Sequence, residues 1–298
     1  MIERVTRLVR GLADLASGYD IILSDVWGVV HNGLLAFAKA IEALGRFRAG
    51  GGKVVLMTNS PNPSRFVVAQ LDRLGVPRKT YDAIVSSGDV TVSLLVERAG
   101  LGLFHIGPPD ETALFEEVLA LCGETPRAAP LQQASFVLCT GLADPWHETP
   151  ADYEELLAAM RARNLELICA NPDIVVEDGR KVFYCAGAIA ERYAGAGGKV
   201  IQAGKPCAPI FARALELARG PDTKILDRAR VLVIGDAMQT DIKGAYLQGF
   251  DSLFVTSGIH RKELHGGAEG AALDAAAFRQ FMKASDFAPA AAIPELVW

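Results

Sequence analysis

Short apolar runs without alternation, each closed by turn or hydrogen-bonding residues, punctuate the chain at 21–23, 54–57 and 231–234. Such runs predict strands buried on both faces. Shorter segments at 84–85, 103–106, 136–139, 166–169, 181–184 and 252–255 predict further strands. Between them the apolar residues fall at helical spacing: 35–48 (Phe37, Ile41 and Leu44 on one face), 64–74, 89–98, 111–121, 209–218, 242–248 and an Ala-rich stretch at 268–283. Thr149-Pro150-Ala151-Asp152 reads as a helix start, with a capping Thr, Pro at the first helical position and an acid at the third. Ile2, Val5, Leu8, Val9, Leu12 and Leu15 predict an amphipathic helix over residues 1–18, packed on the core. Strands alternating with helices predict an α/β fold around a doubly wound parallel sheet.

Length and composition narrow this picture. The chain has 298 residues, half of them hydrophobic, enough for a large core in one domain or two. A net charge of -5 and a pI near 5.6 argue against a broad nucleic-acid-binding surface. No apolar run reaches membrane-spanning length and no signal segment opens the sequence, so no membrane partner and a cytoplasmic location are expected. Cys122, Cys139, Cys169, Cys185 and Cys207 show no CxxC or Cys/His spacing; reduced, buried thiols are expected rather than zinc ligands or disulfides. The apolar tail, 289–298, reads as a cover for the sheet or for a second copy of the chain, so a homodimer is among the expected assemblies.

Candidate chemistry gathers at the strand ends, where open α/β sheets bind ligands. Asp25 follows the first run; Thr58, Asn59 and Ser60 follow the second; Gly235, Asp236 and, slightly later, Asp241 follow the 231–234 run; and Gly204-Lys205-Pro206 precedes a helix. Taken alone, Asp25 reads as a turn cap. With the other three stretches it becomes one member of a set holding a nucleophile, hydrogen-bond donors, a cation and two further carboxylates. That set suits phosphoryl transfer: a carboxylate can form an acyl phosphate, Mg²⁺ takes a few carboxylates plus water, and hydroxyl, amide and ammonium groups neutralise phosphate oxygens. The Gly50-Gly51-Gly52-Lys53 string lies between helix and strand, in the reverse order of a P-loop, and reads as a helix C-cap. No Gly-x-Gly-x-x-Gly dinucleotide fingerprint is present.

In order and spacing the four stretches resemble the haloacid dehalogenase-like phosphohydrolases, specifically the class IIA branch with a large α/β cap, from about residue 20 to 260. The resemblance implies a core at 1–88 and 197–298 and a cap domain at 89–196. It implies Asp25 as phosphorylated nucleophile and Mg²⁺ ligand, and Asp236 and the Trp27 backbone carbonyl as further ligands. Thr58, Asn59 and Lys205 would bind phosphate, and Asp241 would orient the metal's water shell. Cap loops after strands would select the substrate. Trp146, His147, Asn171 and Asp173 lie in such loops, although Asn171-Pro172-Asp173 is also turn chemistry in its own right.

One departure is plain. The family's first motif carries a second Asp, the general acid and base, where this chain has Trp27. An indole N–H donates a hydrogen bond but has no usable pKa. His31, six residues past Asp25, would stand in if its loop curled back; the other reading is a structural hydrogen bond. The expected function is a Mg²⁺-dependent phosphohydrolase of a small phosphorylated metabolite, slow if nothing replaces the missing Asp. The alternative is a weakly active or silent protein that binds a phosphorylated ligand for regulation or assembly. A phospho-accepting receiver domain also uses Asp, Thr and Lys but is far shorter and has no inserted domain.

Overall fold

The computed structural model describes residues 6–109, 111–178, 181–220, 227–266 and 270–298. The chain forms two compact units, one of Met1–Thr58, Ala69–Val85 and Phe211–Trp298, the other of Asn59–Val68 and Ser86–Ile210. In chain order the strands are β1 (Arg7–Leu8), β2 (Ile21–Asp25), β3 (Lys53–Thr58), β4 (Ala83–Ser86), β5 (Gly102–Ile106), β6 (Arg127–Ala128) and β7 (Phe136–Cys139). They continue with β8 (Glu166–Cys169), β9 (Val175–Asp178), β10 (Lys181–Tyr184), β11 (Lys199–Gln202), β12 (Val231–Gly235), β13 (Asp251–Val255) and β14 (Ala291–Ile293).

The first unit is built on a seven-stranded sheet in the order β1-β14-β13-β12-β2-β3-β4. The pairs from β1 through to β3 are parallel. Every residue of β2 and β12 is buried, as their unbroken apolar runs require of central strands covered on both faces. Each fully buried Leu, Ile or Val side chain contributes roughly 1.5–3 kcal/mol of transfer free energy. From β2 the chain moves outward to β3 and β4, and it returns through β12 on the other side of β2. The strand order therefore reverses between β2 and β12, and the carboxyl ends of these two strands form the crevice where an open α/β sheet binds ligands.

The second unit has its own five-stranded sheet, β11-β8-β7-β5-β6, with parallel pairings, and an antiparallel hairpin of β9 and β10. Tyr153, Leu157, Met160, Ile189 and Tyr193 belong to one buried cluster of its core. Leu114, Val118, Val92 and Leu95 belong to a second cluster.

Two predicted helices differ from the structure. Residues 7 and 8 form strand β1, paired with Ala291 and Ala292, and only Ala13–Ala16 is helical in that region; Ile2 and Val5 lie outside the described residues. Gly11 explains the break: a Cβ there would lie 2.3 Å from the Trp298 carbonyl oxygen, so this stretch is fitted to the chain's last residues. Among the described residues the Ala-rich helix runs over Ala275–Ala284, because Asp274 caps it by accepting from the N–H groups of Ala276 and Ala277; residues 268 and 269 of the expected helix lie outside the described residues. The tail supplies a strand, β14, to the first sheet.

Candidate functional site

Asp25 is the last residue of β2, paired in register with Met57 one residue before Thr58. Asp236 follows β12 directly, and Asp241 lies in a π-helical turn, Met238–Ile242, next to it. Such turns are rare and concentrate at functional sites. The carboxylates of Asp25, Asp236 and Asp241 come within 4.8 Å of one another, and all three residues are buried. No Cys, His or fourth carboxylate joins this cluster among the described residues.

Backbone contacts hold the carboxylates in place. The Ile259 N–H donates to Asp236 Oδ2 at 2.7 Å, and the Ala237 N–H donates to Asp241 Oδ2 at 3.1 Å. Three glycines make room. A Cβ on Gly28 would lie 2.1 Å from Asp236 Oδ2, and one on Gly258 would lie 2.0 Å from the same oxygen. A Cβ on Gly235 would lie 2.1 Å from Asp241 Cγ. Gly28 also sits at φ +83°, a conformation that favours glycine. Asp236 is thus lodged between two backbones that close approach restricts to glycine.

Three anionic carboxylates this close in a buried setting repel one another, and a divalent cation relieves that cost. An all-carboxylate donor set fits a hard ion such as Mg²⁺ or Ca²⁺ rather than zinc, which favours nitrogen and sulfur. Asp25, Asp236 and Asp241 are therefore the residues that could hold such an ion. Thr58 ends β3 in the same unit and is buried.

Trp27 and His31 bracket the loop after β2. The Gly28 N–H donates to the His31 carbonyl at 2.8 Å, and the two rings meet edge-on with centroids 5.1 Å apart. His31 is 1% exposed, and burial pushes its pKa down to about 4. Its Nδ1 accepts from the Gly33 N–H at 2.9 Å, which places the ring proton on Nε2, a buried atom with no partner. The resting imidazole is neutral and carries its only proton where a base would need a lone pair. The structure thus gives His31 a loop-holding contact and not the form a proton shuttle requires.

In the second unit Asn59, Asp173 and the Lys205 backbone come together. The Lys205 N–H donates to Asn59 Oδ1 at 2.8 Å, while Asn59 Nδ2 donates to Asp173 Oδ1 at 2.8 Å and to the Lys205 carbonyl at 3.3 Å. Both amide hydrogens of Asn59 are committed, so it clamps the Lys205 loop instead of presenting a donor to phosphate. Gly204 permits this: a Cβ there would lie 2.3 Å from Asn59 Oδ1. Lys205 itself is buried.

The cap-loop residues divide. Asn171 Oδ1 accepts from the Asp173 N–H at 3.1 Å, an Asx-type turn that makes both residues structural at least in part. Trp146 and His147 are exposed and anchored to Asp144, by the Trp146 N–H at 2.9 Å and by His147 Nδ1 at 2.7 Å. Trp146 meets Phe183 edge-on at 4.7 Å, with Lys181 Nζ 4.0 Å from the centre of its ring. Sequence reasoning missed Gly258 and Ile259, whose only sequence signal was a glycine after the strand at 251–255. It missed Lys181 and Phe183 as partners of Trp146 because a hairpin brings them there.

Strand order, the reversal at β2 and the buried acidic cluster define a strand-end hydrolase site on an α/β core. The chain belongs to the haloacid dehalogenase-like hydrolase family. Residues 22–119 match the family's haloacid dehalogenase-like hydrolase model, and residues 202–278 match a HAD-hydrolase-like model. A haloacid dehalogenase-like hydrolase from Brucella suis 1330 is 44% identical, covering 97% of this chain and 100% of its own, with a TM-score of 0.82. The D-glycerol 3-phosphate phosphatase of Mycobacterium tuberculosis is 27% identical over 84% of this chain, which spans 66% of that protein's length. A glycerol phosphate phosphatase structure from Mycobacterium tuberculosis, in complex with calcium, has 25% identity and a TM-score of 0.61, covering 85% of this chain and 71% of its own.

Proposed function

We propose that this protein is a Mg²⁺-dependent phosphohydrolase of a small phosphorylated metabolite, working through an aspartyl phosphate on Asp25. The observation that carries this reading is the buried trio of Asp25, Asp236 and Asp241 at the strand-order reversal. In it, Asp25 attacks the phosphorus, and Thr58 and Lys205 bind the phosphate oxygens, with Asn59 fixing the Lys205 loop. Asp25, Asp236 and the Trp27 carbonyl hold the ion, and Asp241 orients its water shell. When bound there, the ion supplies positive charge that offsets the phosphate's own. Residues 89–196 act as the cap, and exposed Trp146 and His147 are its substrate-facing side chains. The calcium-bound relative and the phosphatase relatives support this assignment.

A second reading, ligand binding with little turnover, is favoured by Trp27. One panel separates the two: phosphorylated metabolites with Mg²⁺, scored for both phosphate release and binding. Hydrolysis that disappears in a folded Asp25→Asn variant supports the enzyme. Binding without release supports the second reading, and full activity in the variant contradicts the aspartyl phosphate.

A further inference from the structure

Three segments far apart in sequence meet inside the second unit: Asn59, directly after β3; Asn171-Pro172-Asp173, between β8 and β9; and Gly204-Lys205, after β11. The Asn59 amide is their junction. Its Oδ1 accepts from the Lys205 N–H at 2.8 Å, and its Nδ2 donates to the Lys205 carbonyl at 3.3 Å and to Asp173 Oδ1 at 2.8 Å. The Lys205 backbone alone thus holds the amide by one short bond and one long one. Asp173 adds a short bond to a carboxylate oxygen, the stronger kind of acceptor. Asn59 is 2% exposed, so removing that acceptor leaves a buried N–H without a replacement from solvent. Asp173 is itself held from two sides. Its N–H donates to Asn171 Oδ1 at 3.1 Å. The helix Ala186–Gly195 approaches it so closely that a Cβ on Gly187 would lie 2.4 Å from the Asp173 carbonyl oxygen and 2.2 Å from that of Pro172. Gly204 fits against the same turn, since a Cβ there would lie 2.9 Å from Pro172 Cδ.

We infer that Asp173 is a positioning residue for phosphate binding, acting on Lys205 through Asn59, and not a residue that selects the organic part of the substrate. This rests on the proposed role of Lys205 as a phosphate ligand and deepens it. Anchored at Asp173, the Asn59 amide fixes both the N–H and the carbonyl of Lys205. Those two groups set the direction in which the Lys205 side chain leaves the backbone. A binding group displaced by about 1 Å loses much of its effect, so the anchor is felt at the ammonium although Asp173 itself touches no phosphate. Every phosphorylated donor carries the same phosphoryl group. Loss of Asp173 therefore weakens all donors by one common factor, whereas a residue touching the organic part weakens them unequally.

The test uses the full chain with Mg²⁺ and compares wild type, Asp173→Ala, Asn59→Ala, the double variant and Lys205→Met. Affinity for inorganic phosphate is read by calorimetry, and kcat/KM is read on acetyl phosphate and p-nitrophenyl phosphate. Asp173→Ala should weaken inorganic phosphate by roughly ten- to a hundredfold, the usual worth of a hydrogen bond to a charged group, and lower kcat/KM by a common factor on both donors. Asn59→Ala should lose at least as much. The double variant should match Asn59→Ala, because two residues acting through one another do not add their losses. Unchanged phosphate affinity in folded Asp173→Ala would overturn the inference. So would a loss on one donor more than tenfold larger than on the other, or losses that multiply in the double variant. Each of these leaves Lys205 standing as a phosphate ligand if Lys205→Met weakens phosphate. Unchanged affinity in Lys205→Met, or no phosphate binding by wild type, would overturn the reading beneath the inference and the inference with it. Should Asp173→Ala not fold, Asp173→Glu, which displaces the carboxylate from Asn59, decides by the same readouts.

Discussion

At the scale of single residues, the candidate site is a matter of glycines as much as acids. Asp25, Asp236 and Asp241 were legible because each lies at or just beyond an apolar run, so the strand itself announced where its end would be. Gly258 was not legible, since its task is set by a carboxylate 22 positions earlier that only the fold brings within contact distance. His31 shows a similar limit: its place in the loop was readable, but its burial and its bond from Gly33 were not. That burial has a pH consequence. With a folded pKa of about 4 against 6.5 for the exposed group, the unfolded chain binds the extra proton between those values. The stability tied to neutral His31 is therefore complete above pH 6.5 and is lost as pH falls toward 4, by about 3 kcal/mol. Urea midpoints measured from pH 7 to 4.5 should fall more steeply for wild type than for His31→Asn. Parallel slopes would contradict the burial of a neutral ring.

At the scale of elements, strands in the cores were predicted well where the apolar run was long, as at β2, β12 and β7, because burial on both faces leaves little else to read. The misreadings had two sources: residues 7 and 8 had helical spacing but pair with the distant tail, and the start of the Ala-rich helix was set by the unread cap at Asp274. Local capping was the most transferable signal. Thr149 and Asp152 form the expected reciprocal box, and the same chemistry at Ser86 and Asp89 went unread. Asp89 accepts from the Ser86 N–H at 2.9 Å and from the Ser64 N–H at 2.9 Å, so one carboxylate serves the starts of two helices. Asp89→Ala should cost about 1–2 kcal/mol in a denaturant titration. A change within a few tenths would mean that water replaces both contacts at no cost.

At the scale of the whole molecule, the order of the motifs along the chain revealed more than any one of them. Asp25 and Thr58 come before an inserted α/β unit and Asp236 after it, so the first sheet is completed only when the chain returns through β12. Composition carries no mark of that excursion, because both units are alternating strands and helices with buried apolar cores. Among the described residues no helix is long and apolar enough to cross a membrane. The surroundings of Trp146 were not legible for a physical reason: it is exposed in a loop, and its partners Phe183 and Lys181 are set by tertiary structure.

The central claim is that Asp25, Asp236 and Asp241 form one binding site for a divalent cation. Its most direct test is a calorimetric titration of Mg²⁺ into wild type and into a folded Asp236→Asn variant. The account predicts saturable binding of one ion per chain in wild type and its loss in the variant. No binding by wild type, or equal binding by both proteins, would contradict it.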